Sequence, residues 1–126
     1  MYKYVAIFIF GLFSLVSSAE ELGYSGYKKE GKSVEDTLND LKNDESFEVY
    51  VQGGWTIASS KVGVMYSFTP SDHPAHPSYV ERRVIERDGS IYINMSARCG
   101  ASKDVCDDLV RSFQELNKKI IESMGR

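Results

Sequence analysis

The chain has 126 residues and a formal net charge of −3 at neutral pH. Its lysines and arginines form no cluster, which argues against a nucleic-acid partner because such surfaces need concentrated positive charge. The basic face that draws proteins onto anionic lipid is missing from the sequence as well.

The first residues have the layout of a secretory signal peptide. Lys3 precedes an apolar run from Val5 to Val16, and small residues follow at positions 17–19. This run is short for a membrane-spanning helix, which needs ~20 apolar residues. We therefore predict a cleaved signal peptide at residues 1–19 and no stable membrane anchor after cleavage. A retained N-terminal anchor helix is the alternative.

Cleavage would leave 107 residues, enough for one domain with a modest core. Because Lys3 is the only charge in the leader, cleavage changes the net charge from −3 to −4. Residues 20–32 are rich in glycine and charge and predict a flexible N-terminal segment. Residues 33–126 predict a single domain.

The first predicted helix begins after Ser33, with Asp36 in the position of a capping-box residue. Val34, Leu38 and Leu41 share one face of this helix. The segment therefore predicts a short helix that docks through three apolar side chains.

From Phe47 to Ala97 apolar and polar residues alternate, which predicts β-strands. Gly53-Gly54 marks a turn or bulge after the first strand. The stretches WTIAS and VGVMYSF predict two further strands. In the second of them one face would carry Val62, Val64, Tyr66 and Phe68.

Asp88-Gly89 lies between two further alternating stretches and predicts a two-residue type I′ hairpin turn. This turn sets the register of the hairpin. A slip by one residue would turn every side chain to the opposite face of the sheet. The more apolar set is predicted to face the core; it pairs Val84 with Ile93, Arg82 with Met95 and Val80 with Ala97. The other set, with Arg83, Tyr92 and Asn94, is predicted to face outward.

The last predicted element is a long amphipathic helix that begins after Ser102. Its apolar stripe contains Val105, Leu109, Phe113, Leu116 and Ile120, widened by Val110, Ile121 and Met124. Together the elements predict an α+β fold. It has an antiparallel four- to five-stranded sheet, a short N-terminal helix and a long C-terminal amphipathic helix packed on one face.

Cys99 follows the last predicted strand, and Cys106 lies in the first turns of the last predicted helix. An even number of cysteines in an exported chain favours a disulfide. A bridge here would join the end of the sheet to the helix. A redox pair is the alternative, although thiol oxidoreductases typically use the closer Cys-x-x-Cys spacing.

The stretch SFTPSDHPAHPSYVERR holds all three prolines and both histidines of the chain. Asp72, His73 and His76 are suitable ligand types for zinc, copper or nickel. Pro74 biases His73 toward extended backbone, however, and histidines three apart in an extended chain diverge. Metal binding by these three residues is therefore an alternative hypothesis.

A proline-stiffened loop is also suited to recognition, because it loses little entropy on binding. We predict a binding surface formed by Trp55, Phe68, His73, His76 and Tyr79. A purely structural strand connection is the other interpretation. Serines near His73 leave a small hydrolase open, but no spacing demands one.

The stretches GGWTIAS, SFTPSDHPAHPSYVERRV and CGASKDVCDDLVRSFQELN resemble a group of short, uncharacterised exported proteins of Gram-negative bacteria. The resemblance covers roughly Phe47 to Asn117 and rests on the tryptophan, the F-T-P…H-P-A…P-S loop and the C-x6-C pair. It implies a periplasmic α+β domain and no activity.

The sequence thus predicts a non-enzymatic periplasmic binding or accessory protein that uses the Phe68–Tyr79 loop, with no cofactor. Its partner is expected to be a protein or small ligand of the periplasm. Metal handling is the first alternative. A thiol–disulfide or small hydrolytic enzyme is the second.

Overall fold

The computed structural model of the protein describes residues 31–124. The predicted signal peptide and the N-terminal segment up to residue 30 lie outside the described residues. The elements, in chain order, are α1 (Val34–Lys42), β1 (Phe47–Gln52), β2 (Trp55–Ser60), β3 (Val64–Phe68), β4 (Ser78–Arg87), β5 (Ser90–Cys99) and α2 (Lys103–Met124). The five strands form one antiparallel sheet in chain order. The predicted α+β class is confirmed.

Tight turns with positive φ join the strands at both ends of this meander. Asp88 and Gly89 have φ of 54° and 79°, the sign that a type I′ turn requires at both positions. The turn pairs Arg87 with Ser90, and the whole β4–β5 register follows as predicted. Gly53 and Gly54, with φ of 58° and 86°, form a second two-residue turn between β1 and β2.

One face of the sheet packs against α2, and we call it the α2 face. Its core comprises Ala75, Val80, Ala97, Cys99, Cys106, Leu109, Val110 and Phe113. Val80 and Val110 are fully buried, and burying one such side chain contributes about 1.5–3 kcal/mol. The prediction that the apolar set of the β4–β5 hairpin faces the core is confirmed.

Helix α1 lies on the opposite face, which we call the α1 face. The Ser33 hydroxyl caps this helix by accepting a hydrogen bond of 3.0 Å from the Asp36 N–H. Its apolar side chains Val34, Leu38 and Leu41 pack with a cluster of Phe47, Val49, Ala58, Tyr66, Phe68 and Tyr79. The two helices therefore cover different parts of different faces, and Tyr92 on the uncovered part is 50% exposed.

Two details of the predicted core differ from the structure. Leu116 and Met124 are 41% and 47% exposed, whereas Asn117 is only 8% exposed. The buried stripe of α2 therefore runs through Asn117 rather than Leu116. Val62, predicted to share a face with Val64, is 81% exposed because β3 begins only at Val64.

Candidate functional site

The proline–histidine loop connects β3 to β4 and is tied down at both ends. The Thr69 N–H donates to the Ser78 carbonyl at 3.0 Å, which closes the base of the loop. Two internal turns follow, since the N–H of His73 bonds the Pro70 carbonyl and the N–H of His76 bonds the His73 carbonyl. The loop is thus an ordered structure built on the end of the sheet.

Buried polar contacts hold this loop against the end of β5. The Thr69 hydroxyl lies 2.9 Å from Nδ1 of His76 and accepts from the Ser78 N–H at 3.1 Å. The Ser78 hydroxyl donates to the Ala75 carbonyl and accepts from the Gly100 N–H. Gly100 also donates to the Pro77 carbonyl at 3.0 Å. Because Ser78 is fully buried, these bonds are shielded from competition with water.

The five predicted binding residues do not form a single surface. The Trp55 ring contacts His73 at 5.2 Å and Phe113 of α2 at 5.6 Å between centroids, which places it on the α2 face. Phe68 and Tyr79 contact each other on the α1 face, at 5.2 Å between centroids. The cause is strand register. Thr56 pairs with Phe68 and shares its face, so Trp55, one residue earlier, lies on the other.

Within residues 31–124, no three His, Cys, Asp or Glu side chains lie close enough together to hold a metal ion. Nδ1 of His73 accepts a 2.9 Å hydrogen bond from the Ala75 N–H, and Nδ1 of His76 is engaged by Thr69. Metal binding by Asp72, His73 and His76 therefore stays a prediction with no preformed ligand set in that range.

The three serines considered for hydrolysis differ in exposure, and none of them hydrogen-bonds to a histidine within residues 31–124. Ser67 and Ser78 are 3% and 0% exposed, and Ser71 is exposed. A hydrolytic nucleophile needs a base within hydrogen-bond reach, so the hydrolase alternative has no geometric support here.

The predicted disulfide is present between Cys99 and Cys106, with Cα atoms 5.9 Å apart. It joins the end of β5 to the first turn of α2, as the sequence indicates. The two cysteines are 2% and 0% exposed. Thiol–disulfide exchange requires a thiolate to reach a sulfur atom, so this burial favours a structural role.

A groove of about 780 Å³ opens on the α1 face between α1 and the proline–histidine loop, and we call it the α1 groove. Val34, Leu38 and Phe68 provide its apolar surface. His76 and Pro77 of the loop form one wall, and both are exposed. The volume is within the 300–1,000 Å³ typical of ligand sites, about the size that a drug-sized molecule or short peptide needs.

Aromatic side chains support the groove from beneath. Tyr66 contacts Phe47, Phe68 and Tyr79 at centroid distances of 5.9, 6.2 and 5.5 Å. Burial, with a smaller contribution from the negative charge of Glu81, raises the pKa of Tyr66 above its usual value. The Tyr66 hydroxyl therefore stays neutral at physiological pH. The aromatic cluster around it carries no charge at that pH.

Sequence reasoning predicted one wall of this groove and missed the other. The proline and histidine pattern identified His76, but nothing in the sequence indicated that Val34 and Leu38 would lie opposite it. The α1–sheet contact is long-range and depends on which face α1 covers. The one available signal was the apolar stripe of α1, which shows that the helix docks but not where.

Comparison with known proteins finds no matching family model, no matching curated protein and no matching solved structure. The helices within residues 31–124 include none that is long and apolar enough to cross a membrane.

Proposed function

We propose that this protein is a non-enzymatic, exported binding or accessory module that takes its ligand in the α1 groove. The observation that carries the proposal is that the proline–histidine loop forms a wall of the α1 groove, which has a volume of about 780 Å³. The loop can therefore contact a ligand in the groove while the sheet keeps the loop fixed.

Preorganisation supports this role. Ordering a flexible loop on binding costs about 0.5–1.5 kcal/mol for each immobilised side chain. Here Thr69 and Ser78 already hold the loop by hydrogen bonds, and its prolines restrict the backbone. The exposed His76 and Pro77 are therefore presented at little further entropic cost.

The composition of the groove favours a ligand that presents an apolar side chain flanked by polar backbone. Its apolar surface at Val34, Leu38 and Phe68 is bordered by His76 and the exposed carboxylate of Glu35. We take the ligand to be a short peptide segment of a partner protein that inserts apolar side chains between α1 and the loop. Such anchors in desolvated pockets carry most of the energy of protein interfaces.

Export is the second part of the proposal. The leader pattern of residues 1–19 supports it, and so does the Cys99–Cys106 bridge, because disulfides persist mainly in oxidising compartments. The periplasm is the compartment that the sequence resemblance implies.

A peptide selection tests the binding function. Peptides from a random library would be selected on the mature protein, and their affinities measured by fluorescence anisotropy. We expect Glu35→Arg and His76→Ala to weaken binding about tenfold or more, which corresponds to about 1.4 kcal/mol. Asp72→Ala is the matched control, since Asp72 is exposed in the same loop but does not line the groove.

The outcomes are distinct. Failure to select any peptide, or selected peptides that bind both groove variants as well as the parent protein, would overturn the α1 groove as the site. Thermal unfolding of each variant separates loss of binding from loss of folding. Equal loss in Asp72→Ala would indicate that the outer loop, not the groove, is the contact surface.

A further inference from the structure

The α2 face contains an arginine with no anionic partner among residues 31–124. Arg82 lies in the middle of β4, and burial lowers its pKa. No ion pair joins it to a carboxylate in the described range. Arg82 is half-buried, and removing even part of an unpaired charge from water is costly, because buried charges are normally paired. The position therefore needs an explanation.

The neighbours that Arg82 does have are weak partners for a cation. Its Nη2 donates to the Met65 sulfur at 3.3 Å, and its guanidinium lies 5.2 Å from the centroid of the Phe113 ring. Thioether sulfur is a weak acceptor. The buried Nε–H has no partner in the described part of the chain. The side chains of residues 31–124 therefore offer this guanidinium, with its five N–H donors, no strong acceptor.

Strand register explains why no carboxylate reaches it. The residues paired with Arg82 on the two adjacent strands are Met65 and Met95, so both direct cross-strand neighbours are methionines. The closest acidic residue in β4, Glu81, lies on the opposite face and pairs with Arg83 at 2.7 Å. The unpaired state of Arg82 thus follows from the order of residues in three strands.

Arg82 also lines a cavity. A pocket of about 260 Å³ lies between the sheet and the C-terminal half of α2, and we call it the Arg82 pocket. Its other lining residues are predominantly apolar, and those whose side chains share the face of Arg82 or come from α2 include Val84, Ile93 and Ile120. For scale, an apolar cavity of about 150 Å³ is large enough to bind benzene. The pocket therefore has room for a hydrocarbon chain or ring beside the guanidinium.

We propose that the Arg82 pocket binds a small monocarboxylic acid with an apolar body, of the medium-chain fatty-acid type. The carboxylate accepts hydrogen bonds from the Arg82 guanidinium, whose planar fork matches its two oxygens. The hydrocarbon part packs among Val84, Ile93 and Ile120. The ligand supplies the missing anion and removes its own apolar surface from water.

This site is separate from the α1 groove, because Arg82 and the groove lie on opposite faces of the sheet. The inference does not rest on the proposed function, and either can fail without the other.

Titration with octanoate tests the proposal. The mature protein, labelled with ¹³C at the Ile and Val methyl groups, would be followed by NMR as octanoate is added below its micelle concentration. We expect saturable shifts at Val84, Ile93 and Ile120. Octanol, which has the same chain without the charge, should bind at least about tenfold more weakly, because it offers the guanidinium no anionic acceptor.

A matched pair of variants isolates the charge. Arg82→Met should weaken octanoate binding at least about tenfold. Arg83→Met removes the same charge from the adjacent position on the opposite face and should leave binding unchanged. Arg82→Lys keeps the charge but not the fork, and it should bind with intermediate affinity. If Arg82→Met fails to fold, Arg82→Lys and the octanol comparison on the parent protein still decide the question.

Several results would overturn the proposal. Absence of saturable shifts, octanol binding as tightly as octanoate, or unchanged octanoate binding in Arg82→Met would each show that Arg82 recognises no carboxylate. Inorganic phosphate that competes as effectively as octanoate would show a simple anion site without an apolar component.

Discussion

Gly100 is the position where a single methyl group should disturb the loop most directly. A Cβ atom built on Gly100 would lie 2.8 Å from the Pro77 carbonyl oxygen and 3.3 Å from the Pro77 Cγ. The closest contact is backbone, which cannot rotate away. The Gly100 N–H also donates to that carbonyl and to the Ser78 hydroxyl, so any shift strains two hydrogen bonds.

The size of the effect follows from opposing contributions. Gly100→Ala overpacks the contact with Pro77, and overpacking of this kind typically costs about 2 kcal/mol within a range of about 1–3. The φ of Gly100 is not in the positive region, so alanine also reduces the entropy of the unfolded chain, worth about 0.4–1 kcal/mol. We expect a net loss of about 1–2 kcal/mol in the free energy of unfolding. A domain of this size should then melt about 4–15 °C lower.

Thermal and urea unfolding measure the loss, and the NMR signals of His76 locate it. In Gly100→Ala the imidazole signals of His76 should shift, because the loop must move away from Gly100. Gly89→Ala is the control: no atom lies within 4 Å of its Cβ position, but its φ of 79° makes alanine strained. It should destabilise the protein without moving the His76 signals. A Gly100→Ala protein as stable as the parent would refute the reasoning.

Three further predictions test the covalent and electrostatic features. Replacing Cys99 and Cys106 together by alanine should lower the free energy of unfolding by at least about 2.5 kcal/mol, because the bridge closes a short loop. Urea unfolding measures this loss. A loss below about 0.5 kcal/mol would contradict the structural role. The folded protein holds the Tyr66 proton more tightly than the unfolded chain. The resulting stability is therefore full below pH 10.0 and is lost as pH rises through the raised pKa. Tyr66→Phe should reduce that alkaline loss of melting temperature, and an identical pH profile would count against it. Intact mass of protein from a periplasmic extract should show removal of residues 1–19 and the loss of two hydrogens at the cysteines; a retained leader would refute export with cleavage.

The local features of the fold were predictable because short-range chemistry determines them. Asp88-Gly89 sets a hairpin register through two positive φ angles, and that register is the observed one. Ser33 caps α1 because its hydroxyl reaches an N–H three residues away. Cys99 and Cys106 are close in sequence and lie at the junction of two elements, so their bridge was predictable too.

The candidate sites were only partly predictable. The loop was identified by its prolines and histidines, yet its predicted companions lie on different faces. Trp55 and Phe68 come from neighbouring strands, and their separation depends on the β2–β3 register, which no strong turn signal specified. Metal binding by the loop and a catalytic role remain sequence hypotheses.

The sequence by itself determined the class of fold, the β4–β5 hairpin, the helix cap and the disulfide, because each depends on residues close together in the chain. Only the tertiary structure decided that α1 and α2 cover opposite faces, that α1 completes a groove with the loop, and that Arg82 lies between two methionines beside a cavity. These features depend on contacts between distant segments. Alternation within a strand shows which side chains share a face, but it does not show which element covers that face.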